Sequence, residues 1–178
     1  MVASNHVSFW DQPLIGAAIP REAHFLAKEE LFSTPALGPV IRSLNAIPIR
    51  RGAADLRGLT RAIDALKHGG TVLLFPEGSR MRDGELHPAR PGVGLLAVQA
   101  DVPIAPCYIS GSNVPRQWWY RGRRVRITFG RARDWREYAG RDTDLAPGRQ
   151  LYQRIGIGVM EEIARLRDEQ RSASRGAA

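Results

Sequence analysis

The sequence has one cysteine, few lysines and no long apolar run, and each shortage excludes a class of protein. Cys107 alone cannot form an internal disulfide or a CxxC metal or redox site, which favours a reducing compartment. No apolar run approaches the ~20 residues that a membrane-spanning helix requires. Met1 is followed at once by Val-Ala-Ser-Asn-His, without the basic and apolar regions of a signal peptide. We therefore expect a cytoplasmic protein.

Acidic residues are also scarce relative to basic ones. The 178 residues include 18 Asp and Glu against 26 Lys and Arg, which gives a net charge of +8, and only Lys28 and Lys67 are lysines. Arginine binds phosphate and carboxylate through paired hydrogen bonds, so the excess favours an anionic partner. A genome-wide bias towards arginine explains the total equally well. The length and the 43% hydrophobic content suit one soluble globular domain.

Short apolar strands alternate with helix-length segments, which is the pattern of an α/β layered domain. We predict a mixed, mostly parallel sheet flanked by helices, with residues 1–169 forming one domain and the small, polar residues 170–178 a flexible tail. Thr34, followed by Pro35, is expected to cap the second helix. The predicted strands are 1–5, 24–27, 46–49, 71–75, 102–109 and 125–129, and the predicted helices are 11–19, 34–45, 55–68, 92–99 and 150–167.

The first strand is followed by a segment that can hold a general base, Asn5-His6-Val7-Ser8-Phe9-Trp10-Asp11. In open α/β sheets, ligands bind beside the carboxyl ends of the strands. A loop that turns into a helix can fold the carboxylate of Asp11 back onto the imidazole of His6. The other ring nitrogen is then free to accept a proton from an alcohol. The simpler interpretation is a surface histidine beside an aspartate that begins a helix.

Two further strand ends carry charged side chains. The third strand is followed by Arg50 and Arg51, which could clamp a phosphate or form a solvated rim. The fourth is followed by Pro76-Glu77-Gly78-Ser79-Arg80, in which the glycine permits a tight backbone path. The carboxylate and the guanidinium of this segment could form a structural ion pair or bind a glycerol phosphate.

These segments together resemble the motifs of the glycerolipid acyltransferase family, of the lysophosphatidic acid acyltransferase type. The first family motif, N-H-x-S-x-x-D, is matched in full at 5–11. The third, F-P-E-G-T-R-S, is present at 75–81 as Phe-Pro-Glu-Gly-Ser-Arg-Met. The second, G-x-I-F-I-x-R, is matched more loosely at 45–51, and the fourth, V-P-I-x-P-V, at 102–107 with cysteine at its end. Order and spacing agree, and the resemblance covers residues 1 to about 130.

The resemblance implies a glycerol-phosphate acyltransferase-like fold and a role for each matched residue. His6 would deprotonate the acceptor hydroxyl and Asp11 would orient and stabilise the imidazolium, so that the alkoxide attacks an acyl thioester directly. Ser8 is expected to bond a free backbone N–H at the helix start rather than to act as a nucleophile. Glu77 would contact the glycerol or orient Arg80. The expected substrate-binding residues are Lys28, Arg50, Arg51, Glu77, Gly78 and Arg80.

The reaction that the resemblance implies is transfer of a fatty acyl chain from acyl-CoA or acyl carrier protein to 1-acylglycerol-3-phosphate, which yields phosphatidic acid for phospholipid synthesis. One alternative is an acyltransferase that acts on another lysophospholipid or on an aminolipid. Another is a catalytically silent membrane-binding fragment, since relatives usually carry an anchoring segment before the first motif and this chain is expected to lack it. We expect no cofactor and no metal, because no His, Asp or Glu cluster has ligand spacing.

Residues 116–133 form the strongest candidate for a membrane contact. They include seven arginines, no acidic residue and the run Trp118-Trp119-Tyr120. Rings and arginines together suit an anionic bilayer interface, and the same composition suits single-stranded nucleic acid. We expect peripheral binding to the inner face of the cell membrane and no nucleic acid. A β-hairpin that turns at Arg121-Gly122 is compatible with this surface, and its expected core-facing residues are Val125, Ile127 and Phe129.

Overall fold

One six-stranded sheet forms the centre of the protein. A computed structural model describes residues 1–50, 55–114, 124–140 and 144–175. The strand order is β3-β2-β4-β1-β5-β6. Only β6 runs antiparallel to its neighbour among the paired strands that the structure describes, which confirms the predicted mostly parallel sheet. The strands are β1 (Val2–Ser4), β2 (Ala23–Lys28), β3 (Ala46–Ile49), β4 (Thr71–Leu74), β5 (Ala105–Ser110) and β6 (Arg126–Phe129).

Helices cover both faces of the sheet. They are α1 (Asp11–Ala18), α2 (Leu37–Ser43), α3 (Leu56–Lys67), α4 (Gly92–Ala100), α5 (Trp135–Ala139) and α6 (Arg149–Arg175), with a 3₁₀ helix at Glu29–Ser33. The larger core packs one face of the sheet against α3 to α6. The smaller core contains Ile15 of α1 and lies on the other face. In β4, Val72 and Leu74 enter the larger core and Leu73 the smaller one, as expected of a strand buried on both faces.

Two predicted boundaries are wrong because local backbone bonds override the sequence pattern. The second helix begins at Leu37 rather than beside Thr34, and no side chain caps it. Thr34 is extended and closes the preceding 3₁₀ helix through a bond from its N–H to the carbonyl of Leu31. The fifth strand begins at Ala105 rather than at Val102, because the Val102 N–H bonds back to Ala97 and closes α4.

The last helix continues well past the end of its apolar pattern. We expected residues 170–178 to form a flexible tail, and this is wrong for residues 170–175, which are helical. The Gln170 side chain donates to Thr128 Oγ1 at 3.0 Å and accepts a hydrogen bond from the Ser110 hydroxyl, so polar contacts hold this part of α6 to β5 and β6. Apolar periodicity could not reveal these contacts. In the part of the chain that the structure describes, no helix has the length and apolarity needed to cross a membrane.

Candidate active site

Asn5 fixes the point at which the chain leaves β1. Its side chain is buried and pairs with the backbone of Ile109 in β5. Oδ1 of Asn5 accepts from the Ile109 N–H at 2.8 Å, and Nδ2 donates to the Ile109 carbonyl at 3.0 Å. The Asn5 side chain therefore forms the two hydrogen bonds to Ile109 that a neighbouring strand's backbone would otherwise form. These bonds hold the following residue, His6, at the carboxyl edge of the sheet.

His6 and Asp11 form the predicted contact. Nδ1 of His6 lies 2.9 Å from Oδ2 of Asp11, and the two residues are 7% and 0% exposed. An ionised carboxylate can only accept hydrogen bonds, so Nδ1 carries the ring proton. Nε2 is therefore the unprotonated nitrogen of the neutral imidazole. The pair has the arrangement of a general base and the carboxylate that orients it.

The Asp11 carboxylate receives three more hydrogen bonds. Its Oδ2 accepts from the N–H groups of Val7 and Ser8, both at 2.7 Å, and its Oδ1 accepts from the Ser112 hydroxyl at 2.6 Å. Asp11 is also the first residue of α1, where the helix dipole favours a negative charge. These donors compensate the ionised carboxylate for its burial. Ser112 is a residue that the sequence analysis missed, since it lies 101 positions from Asp11.

Ser8 has the expected role at the start of α1. Its Oγ accepts from the N–H of Trp10 at 3.2 Å. Cys107 is buried, and burial raises the pKa of its thiol to about 12, which disfavours the nucleophilic thiolate at neutral pH. Within the described ranges, no group of three or more His, Cys, Asp or Glu side chains could hold a metal ion.

The segment after β4 holds His6 from three directions. The Phe75 ring stacks on the imidazole, with 3.9 Å between the ring centroids and 19° between their planes. The His6 N–H donates to Oε2 of Glu77 at 2.8 Å. The His6 carbonyl accepts from the Met81 N–H at 2.7 Å. The segment that matches the third motif therefore contacts the histidine of the first motif.

The structure corrects the expected contacts of Glu77. Its side chain is 2% exposed, and its second oxygen, Oε1, accepts from the His87 N–H at 3.2 Å. Burial raises the pKa of Glu77, and the hydrogen bonds from the backbone of His87 and His6 oppose that rise. The carboxylate thus faces two backbone N–H groups inside the protein. Through these bonds Glu77 positions the loop that carries His6.

The predicted cations differ in their surroundings. Lys28 ends β2 and, like His6, lines both of the cavities described below. Arg80 is exposed and lines one of these cavities with His6. Arg50 lines the other, and its exposed guanidinium forms an ion pair with Glu29. Arg51 lies outside the described residues.

Two cavities meet at His6. The first, which we call the cationic cavity, has a volume of about 350 Å³, and His6, Lys28, Arg50, Gly78 and Arg90 are among its lining residues. The second, the apolar groove, has a volume of about 530 Å³ and contains His6, Lys28 and Arg80. The apolar residues that line this groove are Phe9, Trp10, Pro13, Phe25, Leu26, Ala27, Leu31, Leu37, Val40, Ile41 and Leu44.

The arginine-rich surface is described only in part. Trp118, Trp119 and Tyr120 lie outside the described residues, as does the expected turn at 121–122. Val125 and Ile127 pack against the smaller core, as predicted. Phe129 was expected to face the core as well, but it is 40% exposed, because β6 is an edge strand that α6 covers only in part.

The chain is similar in sequence and in fold to known acyltransferases. A family model described as Acyltransferase matches residues 1–110. The chloroplastic 1-acyl-sn-glycerol-3-phosphate acyltransferase of Brassica napus is 30% identical over 112 residues, which are 62% of this chain and 32% of that protein. The lyso-ornithine lipid O-acyltransferase of Pseudomonas aeruginosa is 34% identical over 108 residues, which are 60% of this chain and 41% of that protein.

A solved structure is similar over most of the chain. It is the crystal structure of the 1-acyl-sn-glycerophosphate (LPA) acyltransferase from Thermotoga maritima, with a TM-score of 0.67 and 28% sequence identity. The similarity covers 93% of this chain and 65% of the solved chain. The chain thus spans about a third of the length of the Brassica relative and about two thirds of the solved protein.

Proposed function

This chain belongs to the acyltransferase family, and we propose that it transfers a fatty acyl group from a thioester to the free hydroxyl of 1-acylglycerol-3-phosphate. One observation carries the proposal: the buried His6–Asp11 pair lies where the cationic cavity meets the apolar groove. A lysophosphatidate has a phosphate, a hydroxyl and an acyl chain. The cationic cavity suits the phosphate and the apolar groove suits the acyl chain, and the imidazole of His6 lines both.

The proposed reaction uses His6 as base and then as acid. Nε2 of His6 takes the proton of the acceptor hydroxyl while the oxygen forms a bond to the thioester carbonyl carbon. Asp11 stabilises the resulting imidazolium through Nδ1. The tetrahedral intermediate collapses with cleavage of the carbon–sulfur bond, and the imidazolium returns its proton to the departing sulfur. The products are a new oxygen ester and a free thiol.

The raised pKa of Cys107 supports direct transfer. An acyl-enzyme on cysteine would require a thiolate, and this thiol is buried with a pKa of about 12. Ser8 is engaged at the start of α1, where its Oγ already accepts the Trp10 N–H. In our proposal, the acceptor oxygen therefore attacks the donor thioester without a covalent intermediate on the protein.

The phosphate of the acceptor is proposed to bind near Lys28, which lines both cavities together with His6. Arg80 lines the apolar groove beside the same two residues and is proposed to contact the phosphate from that side. A charge-assisted hydrogen bond to phosphate is about twice as strong as a neutral one, which favours a phosphate-bearing acceptor over an uncharged one. An acyl chain is proposed to occupy the apolar groove, because each buried methylene contributes about 0.8 kcal/mol.

A second candidate acceptor is a lyso-aminolipid. It is favoured by the identity of 34% with the lyso-ornithine lipid O-acyltransferase of Pseudomonas aeruginosa. Such an acceptor offers a hydroxyl for the same chemistry but carries a carboxylate and an ammonium group in place of a phosphate. The donor is either acyl-CoA or acyl carrier protein, since both present the same thioester.

The test is an acyl transfer assay with the purified protein. Two donors, acyl-CoA and acylated acyl carrier protein, each carry a labelled acyl chain. Each donor is incubated with lysophosphatidate, with other lysophospholipids and with a lyso-aminolipid. We expect labelled phosphatidic acid to form fastest. Faster labelling of the aminolipid would support the second candidate. If no acceptor is labelled with either donor, the protein is not an acyltransferase in this form, and a role as a membrane-binding fragment takes precedence.

We also propose that the protein binds the inner face of the cell membrane at its surface. The net charge of +8 and the exposed Arg124 and Arg126 at the start of β6 support this location, since each basic residue near an anionic bilayer contributes about 1 kcal/mol. Flotation with vesicles of anionic or of zwitterionic lipid tests it. Binding to anionic vesicles that is lost at high salt is expected, and equal recovery with both vesicle types would contradict it.

A further inference from the structure

Arg90 lies in the cationic cavity although it belongs to none of the sequence motifs described above. Its backbone is held on two sides. The Arg90 N–H donates to the Pro76 carbonyl at 2.8 Å, and the neighbouring Ala89 carbonyl accepts from the Gln153 side chain at 2.7 Å. The base of this side chain is thus fixed between the segment after β4 and α6, which limits the positions that its guanidinium can take.

The Arg90 side chain lies against Gly78. A Cβ atom on Gly78 would lie 2.7 Å from Cδ and 3.0 Å from Nε of Arg90. Gly78 also has a φ of +72°, a backbone conformation that side chains with a Cβ rarely adopt. The glycine therefore serves two purposes, since it permits the turn and leaves room for the stem of Arg90.

The charge of Arg90 has no acidic partner within the described part of the chain. No carboxylate there lies within ion-pair distance of Arg90, and no Asp or Glu is among the residues that line the cationic cavity. Arg50, in contrast, is paired with Glu29. Arg90 and Lys28 therefore leave this cavity with an uncompensated positive charge, which favours a bound anion.

The start of α4 adds backbone donors to the same cavity. Gly92 and Val93, the first two residues of this nine-residue helix, line it, and no side chain caps the helix. The first N–H groups of a helix have no partner inside the helix, and its dipole favours negative charge at this end. A helix start beside an arginine is a common arrangement for binding phosphate.

We propose that Arg90 and the first turn of α4 bind a phosphate group of a substrate. The assignment rests on the proposed acyl transfer and names a binding residue for it. Two substrates carry this chemistry, since the acceptor has a phosphate monoester and CoA has several phosphates. Arg90 then holds this phosphate, while His6 and Asp11 carry out the proton transfer.

Binding of two small probes tests the assignment without requiring turnover. Glycerol 3-phosphate and CoA are titrated separately into the full chain by calorimetry. Arg90→Ala is expected to weaken one of them about tenfold to a hundredfold, because a hydrogen bond to a charged group is lost. Arg90→Lys should retain part of the affinity. Arg82→Ala removes an exposed arginine that is not among the lining residues of the cavity, and serves as the matched control with less than a twofold effect.

The pattern of losses identifies the source of the phosphate. Weakened binding of glycerol 3-phosphate alone assigns Arg90 to the acceptor, and weakened binding of CoA alone assigns it to the donor. The assignment is overturned if wild-type protein binds neither probe, or if Arg90→Ala binds both as tightly as wild type while its thermal unfolding matches that of Arg82→Ala. If the expected losses are seen but wild-type protein transfers no acyl group, the phosphate site stands and the proposed function fails.

Discussion

The residues around His6 contact either its ring or its backbone, and the two kinds of contact have different roles. Asp11 contacts the imidazole itself, through Nδ1, and sets its tautomer. Glu77 and Met81 form hydrogen bonds to His6 only through its backbone. They therefore set the position of the residue rather than the chemistry of its ring. Substitution of Asp11 should alter proton transfer, whereas changes at Glu77 or Met81 should alter the geometry of the loop.

Replacement of His6 should abolish turnover without unfolding the protein. A general base contributes about 10²–10⁴-fold, so His6→Ala is expected to lower kcat by at least a hundredfold in the labelled acyl transfer assay. Circular dichroism and thermal unfolding should stay close to those of wild type. His87→Ala is the matched control, because His87 also pairs with an aspartate, Asp83, but lines neither cavity. Near-normal turnover in His6→Ala would remove His6 from the mechanism.

Ser112 should tune the base although it is remote in sequence. Ser112→Ala leaves Oδ1 of the buried Asp11 without its hydroxyl donor. We expect kcat to fall about tenfold, because the buried carboxylate that orients His6 loses one of its donors. Ser112→Thr, which keeps the hydroxyl, should restore the wild-type rate. A rate unchanged in Ser112→Ala would mean that Ser112 supports only the packing of the loop.

At the scale of the element, several strand and helix ends are closed by a specific hydrogen bond. Asn5 extends the pairing of β1 with β5, and Asp55 caps α3 by accepting from two backbone N–H groups. Asp101 ends α4 in the left-handed conformation, at φ +50°, and its carboxylate accepts from Trp135 Nε1 at 3.0 Å and from Arg136 at 3.2 Å. That carboxylate joins α4 to α5.

The Asp101 contact gives a prediction about stability and pH. The hydrogen bond from Trp135 and the Arg136 guanidinium lower the pKa of Asp101 below its ordinary 3.8. A carboxyl group with a lowered folded-state pKa adds stability above the unfolded-state value and loses it as pH falls through the folded-state value. Asp101→Asn should therefore lower Tm by at most a few degrees at pH 7, because the side chain is exposed, and the difference should vanish well below pH 3.8.

Calorimetric melts of the two proteins across this range check the prediction. Asparagine tolerates the left-handed conformation and still offers Trp135 a carbonyl oxygen, so the comparison isolates the charge. A difference in Tm that is the same at pH 7 and at pH 2.5 would show that the carboxylate charge does not join the two helices.

At the scale of the whole molecule, the sheet sets the relation between the two cavities. β4, β1 and β5 are adjacent, so the segments that follow them meet at one edge. β2 and β3 bring Lys28 and Arg50 to the same edge from the other side. The cationic cavity and the apolar groove therefore share His6.

The apolar groove gives a prediction about acyl chain length. Val40 of α2 lines it and is 52% exposed. Val40→Asp places a charge beside the bound chain, so kcat/KM for long-chain lysophosphatidates should fall roughly tenfold, while short-chain lysophosphatidates change less than threefold. Leu56→Asp is the control, because Leu56 is an exposed apolar residue, 69% exposed, on α3 outside the groove. Equal losses for long and short chains would place the acyl chain elsewhere.

Local sequence predicted most of the elements but not all of their ends. The strand at 46–49 coincides with β3, and the helix at 55–68 differs from α3 by one residue at each end. The ends of α2, β5 and α6 were wrong where a backbone or polar side-chain bond, rather than an apolar residue, decided the boundary. The spacing of apolar residues does not show which backbone and polar groups form such bonds.

Local sequence predicts the alternation of strands and helices, and it permits the contact of His6 with Asp11, because only four residues separate them. The remote groups that surround this pair are set by the fold. Glu77 and Ser112 reach it across 71 and 101 positions, and Arg90 shares its cavity. Their placement depends on the order of strands in the sheet and on side-chain directions at its edge, which no local spacing specifies.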